Sequence, residues 1–349
     1  MAEFLSEYGL FLAKSLTFLL VALVLLSAMA GLALRNRRGT QEGAIEVKRL
    51  NDRFDDLRLS VQSAVLDDAS FKKQQKAEKK ARKARDKKGA GDDRERPRLF
   101  VLDFLGDLEA SAVEALREEV SAVLLEARKG DEVVLRLESP GGMVHSYGLA
   151  ASQVERLRAK EGLTVTVCVD RVAASGGYLM AALGHQILAA PFAILGSIGV
   201  VAQVPNVHRL LKKNDVDVEV LTAGEYKRTL TVLGENTEQG RKKFLEELED
   251  VHRLFKASVQ AARPSLSVEA VATGESWFGT DALARGLCDQ LETSDSYLLR
   301  RADDAELFEV RWSVPQSPLD RFLQGAQGTV NRAVDGALSQ VLNRSRWLR

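Results

Sequence analysis

The chain has 349 residues, with 49 basic and 49 acidic side chains, 45% hydrophobic and 28% charged residues. That length is ample for a sizeable buried core, and a net charge of zero excludes the broad positive field of a bulk nucleic-acid binder. Cys168 and Cys288 are too few for a disulfide scaffold or a four-thiolate zinc site, and His145, His185, His208 and His252 show no ligand spacing, so no metal is expected.

After a short N-terminal segment (1–14), residues 15–34 run SLTFLLVALVLLSAMAGLAL without a formal charge. As a helix this stretch is roughly 30 Å long, the thickness of a bilayer's hydrocarbon core. It is read as a transmembrane anchor in contact with membrane lipid. The rival is a cleaved signal peptide, because Ala28-Met29-Ala30 mimics a small-x-small cleavage site. Against cleavage, the apolar run is long and the leader carries Glu3 and Glu7 instead of a basic cluster. Arg35, Arg37 and Arg38 follow at once, and by the positive-inside rule they place the body of the protein in the cytoplasm.

Residues 35–96 read as a charged linker. Its core, KKQQKAEKKARKARDKK over 72–88, is a solvated helix or tether on its composition alone. The alternative is attraction to anionic headgroups at about 1 kcal/mol per basic residue near the surface. Pro97 opens the regular part of the chain.

From there strands and helices alternate. Leu99–Phe104, Val133–Leu137 and Leu163–Val169 read as strands, and Ser111–Lys129 and Ser146–Lys160 as helices, the pattern of an α/β sheet with parallel crossovers. Between Arg171 and Arg209 there is no Asp, Glu, Lys or Arg. Repeated glycines, Pro191, His185, Gln186 and Gln203 argue against a second span and for several short buried elements. A helix is expected over Gly176–Leu183 and a strand over Val216–Leu221. Residues 296–349 form a C-terminal extension, and the apolar spacing over 322–348 predicts an amphipathic helix that packs on protein or lies on a membrane surface.

Two glycine pairs follow strand ends, in Ser139-Pro140-Gly141-Gly142 and Ala174-Ser175-Gly176-Gly177-Tyr178. Glycine lets a substrate approach main-chain N–H groups closely, and two converging N–H groups make an oxyanion hole. Each pair is equally readable as a turn. Ser175 needs a base, and neither His145 nor His185 has a motif suited to one; His185 reads as a helix-end residue. A lysine can act as base when burial disfavours its ammonium form, and Lys227, just past the expected strand, is one candidate among many surface lysines.

Four motifs occur in order: Ser-Pro-Gly-Gly at 139–142, Ala-Ser-Gly-Gly-Tyr at 174–178, Gly-Ser-Ile-Gly-Val at 196–200 and Tyr-Lys at 226–227, with Lys227 following Ser175 by 52 residues. Together with Trp277-Phe278-Gly279-Thr280-Asp281-Ala282 and Gly286-Leu287-Cys288-Asp289, they resemble the signal peptide peptidase A family of bacterial serine peptidases. One anchor and a basic linker make the SohB branch the nearest match. The resemblance covers residues 97–295, the expected peptidase domain. It implies a crotonase/Clp-protease-like stacked β–α core. Position by position it makes Ser175 the nucleophile, Lys227 the general base, the amides of Gly142 and Gly176 the oxyanion hole, and Ser197 an accessory that holds the lysine. Arg228 stands where the family commonly has an acidic residue. The resemblance also implies a polypeptide substrate, a homo-oligomer, no cofactor, and a single-pass position in the bacterial inner membrane with the domain outside the cytoplasm, against the flanking arginines. A crotonase-type acyl-CoA enzyme and an inactive membrane scaffold are the other readings.

Overall fold

The computed structural model describes residues 43–77, 80 and 96–314, with residues 10, 14, 17 and 18. The expected span over 15–34 (apart from Thr17 and Phe18), most of the basic run and the C-terminal amphipathic helix lie outside the described residues. Among the described residues no helix is long and apolar enough to cross a membrane.

Residues Ile45–Trp312 form one compact unit. Its main sheet has seven strands in the order β1 (Ala44–Arg49), β10 (Glu306–Ser313), β2 (Arg98–Leu105), β3 (Glu132–Glu138), β4 (Thr164–Val169), β6 (Gln186–Ala189) and β9 (Gln290–Leu291). From β10 to β9 every pairing is parallel. A smaller sheet joins β5 (Val172–Ala174), β7 (Ile194–Gly196) and β8 (Ser276–Phe278), the first pair parallel and the second antiparallel. A single parallel bridge, Ser139 to Ala173, links the end of β3 to β5.

The middles of the central strands are mostly apolar because both faces of the main sheet are covered there, and their charged residues, Arg98, Asp103, Glu132, Arg136 and Glu138, lie toward the strand ends. Alternate side chains go to opposite faces. Phe100, Leu102 and Phe104 of β2, Val133, Leu135 and Leu137 of β3, and Val165 and Val167 of β4 enter the larger core. There they meet Leu116 and Val120 of α2 (Val113–Glu126), Ala150, Val154 and Leu157 of α3 (Val144–Arg158), and Met180 and Ala181 of α4 (Gly176–Ala182). The intervening Leu99, Val101, Val134 and Cys168 face a second core closed by Leu50 of α1 (Leu50–Val65) and Tyr297 and Leu298 of α9 (Ser294–Arg301). Both cysteines are buried free thiols.

Two stretches outside the expected peptidase domain take part. In the linker region, Asn51 of α1 accepts from Leu307 N–H at 2.8 Å and donates to the carbonyls of Ala302 and Ala305. In the C-terminal region, β10 pairs with β2 from Glu306 to Glu309.

The charge-free stretch resolves into short elements, β5, α4, β6 and β7, as its glycines and Pro191 imply. Beyond Gly199 the chain changes character. Val216–Leu221 is no strand: its residues pair with no other strand, and Val216, Val220 and Leu221 stand 46%, 44% and 88% exposed. Alternating apolar residues favour a strand only where a neighbour supplies hydrogen bonds. After α5 (His208–Lys213) and this arm, α6 (Glu238–Ala262) starts at a Thr237 cap that accepts from Gly240 N–H. Only Val259 of α6 is fully buried. α7 (Val268–Val271) and α8 (Gly279–Ala284) flank β8.

Candidate active site

Ser175 sits between β5 and α4 in a backbone conformation that L-residues rarely adopt, φ 51° and ψ −120°. Such a residue costs about 1–3 kcal/mol and persists where the surroundings over-determine it. Here they do. Ala174 N–H donates to the Ser139 carbonyl at 3.0 Å, Ser175 N–H to the Gly196 carbonyl at 2.8 Å, and Leu179 N–H to the Ser175 carbonyl at 3.0 Å. The hydroxyl makes no capping bond to its own helix, and the residue is half-buried. The result is a sharp strand-to-helix elbow with a serine at its apex.

The first glycine pair lies against this elbow. A Cβ on Gly141 would fall 2.6 Å from Ser175 Cβ and 2.9 Å from Gly176 N. Gly141 N–H donates to Ser139 Oγ at 3.1 Å and Met143 N–H to the Leu108 carbonyl at 2.8 Å. Between them, Gly142 N–H has no acceptor among the described residues. Gly176 N–H opens α4, where the first N–H groups of a helix lack intrahelical partners. Both glycines are required by close approach. A Cβ on Gly176 would overlap the Tyr147 ring, and one on Gly142 would overlap the Leu108 carbonyl and reach 2.8 Å from the same ring.

Ser197 follows the Gly196 carbonyl that holds Ser175 N–H, has φ 50°, and donates its N–H to the Glu275 carbonyl at 2.5 Å. Lys227 is elsewhere in character. It lies in an exposed turn closed by its own N–H to the Gly224 carbonyl at 3.2 Å, and no hydrogen bond or ion pair ties it to Ser175, Ser197 or the glycines. Ser175, Gly142 and Gly176 are thus brought together within one chain, and Lys227 is not joined to them.

His185 is structural. Its Nδ1 accepts from Val165 N–H at 2.9 Å, fixing it to the start of β4 instead of a helix end, and burial together with Arg158 holds its pKa below the ordinary value. Tyr178 is fully buried and donates to the Leu287 carbonyl at 3.0 Å, which ties the serine motif to the late glycine motif. That late motif is anchored in turn by Arg263 on Asp289 at 2.6 Å. A depression at the C-terminal ends of β2–β4 competes for attention, but its charges are spent on one another. Arg136 reaches Asp103 at 2.5 Å and Glu309 at 2.9 Å, Arg311 reaches Asp103 at 2.9 Å, and Arg171 reaches Glu138 at 3.2 Å.

The family models for "Peptidase family S49 N-terminal" and "Peptidase family S49" match residues 3–154 and 156–307. A "Probable protease SohB" of Haemophilus influenzae is 47% identical over 333 residues, covering 93% of this chain and 94% of its own. The chain belongs to peptidase family S49, in its SohB branch. A second "Probable protease SohB", from Buchnera aphidicola subsp. Acyrthosiphon pisum, is 55% identical over 225 residues, covering 64% of this chain and 67% of its own. Among solved structures, the 1510-N membrane-bound stomatin-specific protease in complex with a substrate peptide covers 66% of this chain and 97% of its own at 11% identity and a TM-score of 0.41.

Two contributors to this S49 site carry no sequence signal as such. Tyr147 is a lone tyrosine in an unremarkable helix, and Leu108 lies in a loop 34 residues from Gly142. Only the folded chain shows that both touch the glycine turn.

Proposed function

We propose that the protein is a membrane-anchored serine endopeptidase in which Ser175 is the nucleophile and Lys227 the general base. The observation that carries this reading is the Ser175 elbow, held in a strained conformation beside two main-chain N–H groups without acceptors among the described residues, in a chain of a peptidase family. Lys227 takes the Ser175 proton as Oγ attacks a peptide carbonyl. The oxyanion accepts from Gly142 and Gly176 N–H, where loss of one donor costs about 2.7–4 kcal/mol. The ammonium then protonates the leaving amine, and water hydrolyses the acyl-enzyme. Ser197, one residue past the carbonyl that holds Ser175, would orient the lysine.

Lys227 must reach Ser175 for this chemistry, by movement of its turn or from a second copy of the chain. Association is supported by the arm that carries Lys227, whose Val201, Leu221 and Leu233 are 84%, 88% and 47% exposed. Residues 15–34 would anchor the enzyme in the bacterial inner membrane, and the core would be of the crotonase/Clp-protease type. Its substrates would be signal peptides or membrane-associated polypeptides, read largely through their main chain along the strand that ends at Ser139. The family match favours this over acyl-CoA chemistry.

A fluorophosphonate probe tests the reading. Wild type should be labelled, and Ser175→Ala and Lys227→Ala should not. Equal labelling of all three proteins would end the proposal, and an unlabelled wild type would favour an inactive scaffold.

A further inference from the structure

Behind the glycine turn lies a buried polar chain that the dyad mechanism does not use. Tyr147 and Ser139 are 1% and 0% exposed. Tyr147 Oη donates to the Asp107 carbonyl at 2.8 Å and lies 2.5 Å from Ser139 Oγ, which in turn accepts from Gly141 N–H at 3.1 Å. The direction of every bond follows from counting protons. A carbonyl only accepts, so the single phenolic proton of Tyr147 goes to Asp107. The single Ser139 proton then goes to Tyr147 Oη, and Ser139 Oγ is left to accept from Gly141. All three bonds run the same way, so each polarises the next. Burial also raises the phenol's pKa, so its proton stays in place.

The same two residues grip both halves of the site. The Tyr147 ring fills the space where a Cβ of Gly176 would stand and, with the Leu108 carbonyl, the space of a Cβ on Gly142. The Ser139 main chain donates to the Val172 carbonyl and accepts from Ala174 N–H, so it clamps the strand that delivers Ser175. The far end of the chain is fixed as well, because Asp107 Oδ1 accepts from Ser111 N–H at 2.8 Å. Gly141 and Met143 N–H are both engaged, and Gly142 N–H alone is left open.

We propose that Tyr147 and Ser139 are the positioning pair of the oxyanion hole: their hydroxyl chain to Asp107, with the Tyr147 ring set against both glycines, holds the Gly142 and Gly176 amides at a fixed separation across Ser175. Neither hydroxyl touches substrate. This role rests on Ser175 being the nucleophile, and the experiment separates the two ideas.

The full-length chain, kept in detergent, is reacted with a fluorophosphonate; Ser175 Oγ bonds to phosphorus, fluoride leaves, and the hydroxyl proton passes to the base. The rate at saturation and the half-saturating concentration are measured for wild type, Tyr147→Phe, Ser139→Ala and Ser175→Ala, with a thermal melt for each. Removing an oxyanion donor outright costs about 10²–10³ in rate, and loosening one costs less. Tyr147→Phe keeps the ring, so the saturating rate should fall about tenfold while the half-saturating concentration stays within about twofold. Ser139→Ala should do the same, and the double variant should be no slower than the worse single, because one chain is broken either way. Should Tyr147→Phe not fold, Ser139→Ala alone carries the measurement. Ser175-dependent labelling of wild type with unchanged saturating rates in the folded variants would overturn the positioning role and leave the nucleophile standing. So would losses that merely track the unfolded fraction. Labelling that survives Ser175→Ala, or no labelling of wild type, would remove the nucleophile and the positioning role with it.

Discussion

At the residue scale, the site is defined by what cannot be added to it. Gly176 faces the Tyr147 ring inside a packed core, and the ring has no free space to retreat into. Gly176→Ala should therefore lower stability by about 1–3 kcal/mol through overpacking. It should also abolish fluorophosphonate labelling even in the fraction that folds, because the N–H it displaces is one of the two proposed oxyanion donors. A urea melt run beside the labelling assay checks both halves. Lys227 is the opposite case. Its side chain stands on an exposed turn and makes no hydrogen bond or ion pair among the described residues, so Lys227→Ala should change stability by no more than about 0.5 kcal/mol while labelling is lost. A stable, folded, unreactive variant is the signature of a chemical role; a reactive one would show that the base lies elsewhere.

At the element scale, the parallel sheet is locked at the entry of β2. Asp131 accepts from Arg98 N–H, from Nε and Nη2 of the Arg98 guanidinium, and from Arg128 N–H at 2.8 Å. Burial opposes ionisation there, but the Arg98 guanidinium and the backbone donors outweigh it and hold the carboxyl below the ordinary value. A depressed carboxylate pKa favours the fold above the unfolded value, about 3.9, and that contribution is lost as pH falls through the folded value. Asp131→Asn should be less stable at neutral pH and show a shallower loss of stability below pH ~4. Urea midpoints at several pH values measure the slope, and parallel curves for the two proteins would contradict the assignment. Much of this level is legible beforehand. β2, β3 and β4 appear as short segments rich in Val, Leu and Phe, and α2 and α3 appear by helical spacing. The alternating stretch Val216–Leu221 also reads as a strand yet forms none, since pairing depends on a neighbour that no local pattern encodes.

At the scale of the whole molecule, the arm from Gly199 to Asn236 and α6 hold several large apolar side chains in solvent. Val201 and Leu221 are 84% and 88% exposed, and Leu245 and Leu254 are 53% and 60% exposed. Where such side chains gather into one patch they form a surface for another protein or a membrane, and for the arm a contact between copies is the case to test. Leu221→Asp combined with Val201→Asp should reduce the sedimentation coefficient of the detergent-purified chain. It should also slow labelling of Ser175 if the arm's lysine is used by a neighbouring copy. An unchanged coefficient would show that the arm is not a contact between copies.

Local sequence determined the central strands β2, β3 and β4 and the helices α2, α3 and α4, because burial on one or both faces imposes a hydrophobic pattern that can be read residue by residue. It also determined where the chain must turn tightly, because Gly141-Gly142 and Gly176-Gly177 admit approaches that a Cβ would block. Only the tertiary structure decided what those turns are for. It set Ser175 in a strained elbow, left Gly142 N–H without an acceptor, and put Tyr147 and Ser139 behind both. The physical reason is that hydrogen bonds and steric contacts between residues distant in the chain carry no periodic trace in it, so a buried tyrosine reads the same whether it fills space or holds a site.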